Sequence, residues 1–223
     1  MKHDVTPIWL RGRPATGRRP ERSRDEIARA GIDVAQAGGL EAVSMRNVAA
    51  ELGTGPASLY RYVRGRDDLL DLMVDATAGQ YRLREPTGVT VSDLLHVAEE
   101  TYAIMLRHPW LPELVIVRPT LGPNSAAVLE HVLEILADRT DMPAARKFEL
   151  FGTLNAVVAT FARNALAEAG NSAFASYLEH VAGDGSHPRI AATLAAMSQP
   201  HDVDAQRRAV FEGILTGLLQ MKD

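Results

Sequence analysis

The chain has 223 residues, of which 46% are hydrophobic and 23% charged, and it contains no cysteine. This composition is that of a folded globular protein, and it excludes disulfide bonds and thiolate metal sites. The formal charge of −4 is unevenly distributed, since residues 1–66 carry 12 Lys and Arg against 7 Asp and Glu while residues 67–223 carry 12 against 21.

A basic N-terminal part on an acidic body is typical of a protein that binds a polyanion through that part. Residues 1–20 are rich in Pro, Gly and Arg and show no apolar periodicity, so they are predicted to form a flexible basic arm. The segments Arg11-Gly-Arg-Pro14 and Arg18-Arg-Pro20 resemble arms that enter the minor groove of DNA. A solvated tail that adds only nonspecific affinity, or has no function, is the alternative.

Neither a secretion signal nor a membrane segment is visible in the sequence. The first twenty residues lack the apolar core of a signal peptide, and no apolar run approaches the ~18 residues that a membrane span requires. We therefore expect a cytoplasmic protein that has no membrane partner.

Helical periodicity covers most of the chain after residue 20, and we predict an all-α fold. Ser23 and Glu26 have the spacing of a capping box at the start of the first helix, which Gly38-Gly39 ends. Beyond residue 65, longer helices are predicted over 66–84, 90–107, 123–140, 143–169 and 203–221, with shorter elements over 109–114 and between 170 and 202.

Residues 44–63 have the pattern of two short helices joined by a tight turn. Ser44 caps the first helix, Gly53 supplies the turn, and the second helix runs from Pro56 to Tyr62. This is the spacing of a helix-turn-helix, in which the first helix crosses the phosphates and the second lies in the major groove. An ordinary helical hairpin with a basic face is the alternative.

Several side chains of this hairpin carry groups that suit DNA. Hydroxyl and guanidinium groups bind phosphates and base edges. Arg46, near the start of the first helix, is expected to donate two hydrogen bonds to a guanine. The other candidates by residue type are Ser58, Tyr60, Arg61 and Tyr62 on the second helix, with Arg64 and Arg66 expected beside a flanking phosphate.

The segment from Ser23 to Met73 resembles the N-terminal domain of the TetR family of transcriptional regulators. The resemblance rests on the capped first helix, on Gly-Leu-Glu-Ala-Val-Ser-Met-Arg-Asn-Val-Ala-Ala-Glu-Leu-Gly, on Ser-Leu-Tyr-Arg-Tyr-Val and on Gly-Arg-Asp-Asp-Leu-Leu-Asp. It implies an all-helical homodimer that binds a double-stranded operator and holds an effector inside its body. Residue by residue, it implies DNA contacts at Ser44, Arg46, Pro56, Ala57, Ser58, Tyr60, Arg61, Tyr62 and Arg66.

Residues 106–133 resemble the ligand domain of tetracycline-repressor type, through His-Pro-Trp-Leu, Arg118-Pro119 and a helix that opens at Gly122-Pro-Asn. Tetracycline-binding relatives hold a magnesium–drug chelate with a histidine shortly before the Arg-Pro pair, whereas this chain has Glu113-Leu-Val-Ile-Val117 there. We therefore expect a small organic effector that binds without a metal or another cofactor. The candidate pocket residues, each of which core packing would also explain, are Tyr102, Met105, Leu106, Trp110, Val117, Phe151, Asn155 and Val158.

The predicted domains are the arm over 1–20, a three-helix DNA-binding domain over 21–66, and an effector-binding and dimerisation domain over 67–223. The helices at 143–169 and 203–221 are expected to pair with a second copy in a four-helix interface. The predicted function is a ligand-responsive repressor of a pseudo-palindromic operator, with an activator or a helical protein-interaction module as alternatives. A small-molecule enzyme is a weaker alternative, because no catalytic constellation is visible in the sequence.

Overall fold

The structure, a computed structural model, describes residues 6–11, 22–118, 120–167, 172–197 and 202–221. Within these ranges it contains α-helices, one 3-10 helix and no strand, which confirms the all-α prediction. The helices are α1 (Arg24–Ala42), α2 (Met45–Glu51), α3 (Pro56–Leu59), α4 (Arg66–Ala78), α5 (Thr90–Arg107), α6 (Leu111–Val117), α7 (Pro123–Ile135), α8 (Ala144–Ala167), α9 (Ser172–Gly183), α10 (Pro188–Met197) and α11 (Val203–Gln220).

The N-terminal head consists of α1, α2 and α3, and its helix starts are the predicted ones. Ser23 Oγ accepts a hydrogen bond from the Glu26 amide at 3.1 Å, and the Glu26 carboxylate accepts one from the Ser23 amide at 2.6 Å. Ser44 Oγ accepts from the Asn47 amide at 3.1 Å and so caps α2. The regular part of α1 ends where Gly39 takes a φ of +70°, which favours glycine.

The helix α4 ends six residues earlier than predicted, at Ala78 rather than residue 84. The following segment leaves the helix because side chains of α5 satisfy its backbone groups. The Arg82 amide donates to Glu100 at 3.1 Å, and the Thr87 amide donates to Asp93 at 2.9 Å. Similarly, α3 and α7 are shorter than predicted, ending at Leu59 and Ile135.

Both the head and the body pack against α4. On the head side, a Cβ added to Gly31 of α1 would lie 2.8 Å from Met73 Sδ and 3.1 Å from Leu69, so glycine permits the close approach of α1 and α4. On the body side, α4 packs against α6 and α7. The predicted domain boundary between residues 66 and 67 falls at the first turn of this shared helix and stays a prediction.

Asp75 of α4 fixes the start of α7. Its buried carboxylate accepts hydrogen bonds from the amides of Asn124 and Ser125 at 3.3 and 2.9 Å and from the Ser125 hydroxyl at 3.0 Å. A carboxylate at a helix N-terminus is stabilised by the unpaired amides and the positive end of the helix dipole. Asp75 therefore joins two helices through one buried group.

Gly122, just before α7, offers a test of this junction. A Cβ there would lie 2.4 Å from Asp75 Cγ and 2.6 Å from Trp9 Cζ2, and Asp75 is held in place by its hydrogen bonds. We expect Gly122→Ala to lower the free energy of unfolding by ~2–3 kcal/mol, as overpacking does. Urea denaturation measures this change, and Gly183→Ala, where nothing lies within 4 Å, should change stability by less than ~0.5 kcal/mol. Equal effects of the two substitutions would contradict the tight junction.

The body core lies between α5, α8 and α11. Phe211 of α11 is fully buried and packs edge-on against Tyr102 and Phe161, with ring centroids 6.2 and 5.1 Å apart. Leu215 and Leu219 continue the buried face of α11. The helices α9 and α10 pack against each other.

Residues 6–11 do not fit the prediction of a flexible arm over residues 1–20. Ile8–Leu10 form a 3-10 helix, Ile8 is fully buried, and the Arg11 guanidinium pairs with Asp68 of α4. The prediction is wrong for this segment because a three-residue element is too short to show periodicity. The remaining residues of the predicted arm lie outside the described residues.

No helix in the described ranges has the length and hydropathy needed to cross a membrane.

Candidate DNA-binding surface and effector cavity

The helix-turn-helix exposes its candidate DNA contacts and buries its apolar anchors. Leu59 and Val63 are buried, whereas Tyr60 between them exposes 56% of its surface. Arg46, near the start of α2, is exposed. Pro56, Ala57 and Arg61 are also exposed, and the Arg61 guanidinium carbon lies 5.8 Å from the centre of the half-buried Tyr62 ring.

Two predicted contacts use their hydroxyl groups within the head. Ser44 Oγ caps α2, as described above. Ser58 Oγ donates to the Gly55 carbonyl at 2.8 Å and lies 2.9 Å from Thr54 Oγ1. The Ser44 hydroxyl thus fixes the start of α2, and the Ser58 hydroxyl holds the turn geometry that presents Tyr60 and its neighbours.

Arg66, whose phosphate contact stays a prediction, also forms hydrogen bonds within the head. Its Nε donates to the Val43 carbonyl at 2.9 Å and its Nη2 to the Leu40 carbonyl at 2.8 Å. The guanidinium thus satisfies carbonyls at the end of α1 and braces the connection to α2. The sequence did not indicate this role, because the acceptors lie 23 and 26 residues upstream of Arg66.

A cavity of about 510 Å³ lies in the body between α4, α5, α6, α7 and α8. Most of its lining is apolar, with the Phe148 and Phe151 side chains from α8. The polar groups come from different helices and include Asn155, Arg118 and a Tyr81–Thr101 hydroxyl pair 2.8 Å apart. A concave, mostly apolar wall with a few polar groups is the usual design of a site for a small organic molecule.

Three of the eight predicted pocket residues line this cavity: Met105, Phe151 and Asn155. The Asn155 amide, for which the sequence analysis identified no partner, donates to the Phe151 carbonyl at 2.9 Å. Its hydrogen bond is therefore made within α8.

The other five predicted pocket residues lie elsewhere. Tyr102 faces α11 and has the Arg207 guanidinium 4.2 Å from its ring centre, and Leu106 is partly exposed. Trp110 and Val117 line a second cavity, between α1 and α6, and Val158 is fully buried in the core. The structure does not bring these five to the first cavity, because apolar periodicity marks a buried helix face but not what that face contacts.

Tyr81 and Thr101 are cavity residues that the sequence analysis missed. Tyr81 was assigned to the end of a long helix, but it follows the end of α4 and extends toward α5. Burial raises the pKa of Tyr81 to about 12, against the opposing effect of its hydrogen bond to Thr101. The Thr101 hydroxyl donates to the Val97 carbonyl at 2.7 Å, so the protonated phenol of Tyr81 donates to Thr101 Oγ1 and its oxygen can accept a hydrogen bond in the cavity wall.

Arg118 connects the cavity wall to the start of α4. Its Nε donates to Asp71 at 2.9 Å and its Nη1 to Asp67 at 2.8 Å. The hydrogen bond that Arg118 donates to Asp71 is the main cause of the raised pKa of Arg118. The guanidinium charge is thus balanced by two carboxylates of the helix that carries the head.

The described residues contain no group of three or more His, Asp or Glu side chains that could hold a metal ion.

A three-helix head with an exposed helix-turn-helix, set on an α-helical body that contains a cavity, defines a class of DNA-binding transcriptional regulator. Residues 27–73 match the family described as bacterial regulatory proteins, tetR family. Residues 84–222 match the tetracyclin repressor-like C-terminal domain. The chain belongs to the TetR family of bacterial regulatory proteins.

Curated relatives share part of their length with the chain. The HTH-type transcriptional repressor DrrR1 of Streptomyces coeruleorubidus is 42% identical over 138 residues, which are 58% of this chain and 49% of that protein. An HTH-type transcriptional regulator of Saccharopolyspora erythraea is 34% identical over 131 residues, 58% of this chain and 56% of that protein. The chain thus spans about half the length of the curated relatives it matches.

Solved structures match over nearly the whole chain. Apo ActR of Streptomyces coelicolor has a TM-score of 0.75 and 28% identity and covers 91% of this chain and 96% of its own. ActR in complex with actinorhodin has the same TM-score with 26% identity, over 90% of this chain and 97% of its own.

Proposed function

We propose that the protein is a transcriptional repressor that binds a pseudo-palindromic operator as a homodimer and releases it when a small organic effector fills the body cavity. The observation that carries this proposal is the position of α4. It begins two residues after Arg64 at the end of the helix-turn-helix, and Val74, Thr77 and Ala78 at its other end line the cavity.

The lining favours a particular class of effector. Among the described residues, the lining contains no Asp or Glu, and Arg118 is its one charged residue. The charge of Arg118 is balanced by Asp67 and Asp71. A cationic ligand would lose its hydration without gaining a counter-charge. We therefore propose a neutral or weakly acidic organic molecule, which the Tyr81, Thr101 and Asn155 side chains would orient. The complex of ActR with actinorhodin supports an organic effector for this fold.

The contacts of α4 provide the route from effector to DNA. Arg118 and the segment 120–125 contribute to the cavity wall and also hold α4, through Arg118 on Asp67 and Asp71 and through Ser125 on Asp75. An effector that displaces this segment therefore pulls on α4 and changes the position of the head. A difference of ~1–3 kcal/mol between the two states gives a 5- to 150-fold change in operator affinity.

The proposed homodimer uses the outer faces of α8 and α11. The apolar side chains of Phe211, Leu215 and Leu219 are buried in the chain's own body, so they do not form the interface. The opposite face of α11 carries Gly213 and Gly217, and nothing lies within 4 Å of a Cβ added at either. Small residues four apart allow two helices to approach closely, which suits a symmetric contact.

The proposal is tested by a footprint on the DNA upstream of the protein's own gene, with an equally long fragment from inside the gene as control. We expect protection of two half-sites whose centres are one helical turn or a multiple of it apart, and loss of protection on adding actinorhodin as the probe effector. Equal protection of the upstream fragment and the control fragment, with no distinct half-sites, would contradict sequence-specific binding. Unchanged protection with actinorhodin would remove it from the proposed effector class.

Filling the cavity should separate effector response from DNA binding. Gly152 of α8 lines the cavity and has nothing within 4 Å of an added Cβ, so Gly152→Leu can place its side chain in the empty space. We expect operator affinity within about twofold of the wild type and at least a ~10-fold higher actinorhodin concentration for release, as a filled cavity loses van der Waals contacts with the ligand. Ala145→Leu, exposed on the same helix outside the lining, is the control. A normal response of Gly152→Leu would place the effector elsewhere.

A further inference from the structure

Residues 6–11, here called the N-terminal strap, are fixed to the body by apolar burial. Ile8 is fully buried, while the next residue but one, Leu10, exposes 78% of its surface. Trp9 packs against the backbone of Gly122, since a Cβ added there would lie 2.6 Å from Trp9 Cζ2. The strap therefore has one face against the protein and one face in solvent.

The strap also contacts both the head and the start of α4. The Arg11 guanidinium forms an ion pair with Asp68, and both side chains are largely buried, with 15% and 12% exposure. The second oxygen of Asp68 accepts from the Arg64 amide at 2.7 Å, at the end of the helix-turn-helix. The Arg11 carbonyl accepts from Arg24, the first residue of α1, at 3.3 Å.

Trp9 brings the strap to the segment that forms the cavity wall. Gly122, on which its ring packs, lies between Leu121 and Ser125, two residues of the cavity lining. Asp75, which holds Ser125, is the other neighbour of Gly122. One short segment thus contacts the cavity wall, α4 and α1 at once.

We propose that the N-terminal strap is a positioning element that fastens α4 to residues 120–125 and so couples the effector cavity to the DNA-binding head. Displacement of Leu121 by an effector would move the adjacent Gly122, on which Trp9 packs. Arg11 would then hold Asp68 without the support of Trp9, and α4 would gain freedom to move relative to the body. The coupling rests on the proposed function, whereas the fastening of α4 does not.

Hydrogen–deuterium exchange on the full chain tests the fastening without DNA or effector. In Trp9→Ala and in Arg11→Met we expect the amides of α4 and of residues 120–122, 124 and 125 to exchange about tenfold faster than in the wild type, because local opening becomes easier. Leu10→Ala, on the solvent face of the strap, is the matched control and should leave exchange unchanged. The amides of α5 and α8 serve as an internal reference, since general unfolding would accelerate them as well.

The same variants test the coupling. We expect the ratio of operator affinities without and with actinorhodin to fall at least fivefold in Trp9→Ala and Arg11→Met, and to remain that of the wild type in Leu10→Ala. Wild-type exchange rates in both strap variants, or faster exchange in α5 and α8 to the same extent, would overturn the strap as a fastener. Faster exchange in α4 with an unchanged affinity ratio would overturn its role in coupling. Failure of the wild type to bind DNA would contradict the proposed function and leave the exchange result to decide the fastening.

Discussion

Gly217→Arg is expected to turn the proposed homodimer into a folded monomer that loses operator binding by at least ~100-fold. Gly217 lies on the outer face of α11, and nothing lies within 4 Å of a Cβ at this position, so the subunit itself has room for the side chain. In the proposed dimer the same space is filled by the partner helix, and a guanidinium there would be buried without a counter-charge. The heads of two separate monomers bind their half-sites independently, so the increase in affinity that comes from linking the two heads is lost.

Sedimentation velocity at micromolar concentration and circular dichroism together measure this outcome. We expect Gly217→Arg to sediment as a monomer with an unchanged helical signal, and Gly213→Arg, one turn earlier, to behave in the same way. Gly217→Ala adds only a methyl group and is the control. A stable dimer of both arginine variants would place the interface on another face of the body.

Arg46→Ala is expected to lower affinity for the operator by ~1–3 kcal/mol, about 5- to 150-fold, with a much smaller loss on nonspecific DNA. Arg46 is exposed near the start of α2, beside the Ser44 cap that fixes the helix end. A guanidinium that makes two hydrogen bonds to guanine supplies discrimination, whereas a phosphate contact supplies affinity for any sequence. The prediction therefore concerns the difference between the affinity for the operator and the affinity for nonspecific DNA.

Arg46→Lys separates charge from geometry in this experiment. Lysine keeps the positive charge, so we expect the salt dependence of binding to stay that of the wild type while the preference for the operator falls. Fluorescence anisotropy with the upstream fragment and the coding fragment, at several salt concentrations, measures both quantities. Equal losses on the two fragments would assign Arg46 to the phosphate backbone.

The head could be predicted from the sequence because its signals are local. Ser23 and Glu26, three residues apart, determine the start of α1, and Ser44 does the same for α2. Leu59 and Val63 are buried as the pattern of the helix-turn-helix requires. The role of Arg66 was not predicted, because the carbonyls that it binds belong to a different helix end.

The cavity and its connections could be predicted only in part, because they depend on contacts between residues far apart in the sequence. Arg118 binds carboxylates 47 and 51 residues away, and the hydrogen bonds between Asp75 and Ser125 span 50 residues. Periodicity identified Met105, Phe151 and Asn155 as inward-facing, but it did not show which inward face meets a cavity and which meets a neighbouring helix.

The N-terminal strap was missed for a different reason. The prediction of a flexible arm was based on the composition of residues 1–20 taken together, in which Arg, Pro and Gly predominate. The apolar triplet Ile8–Leu10 was the available signal, and in the structure its first residue is fully buried. A short apolar group within a basic segment therefore indicates a local attachment point.

The central claim, that two chains together bind one operator through their heads, is tested most directly by sedimentation of the wild type with labelled upstream DNA at low ionic strength. We predict a complex whose mass corresponds to an even number of chains per DNA and which dissociates as salt rises, because phosphate contacts release counterions. A chain that is monomeric at micromolar concentration and leaves this DNA free at low salt would contradict the account.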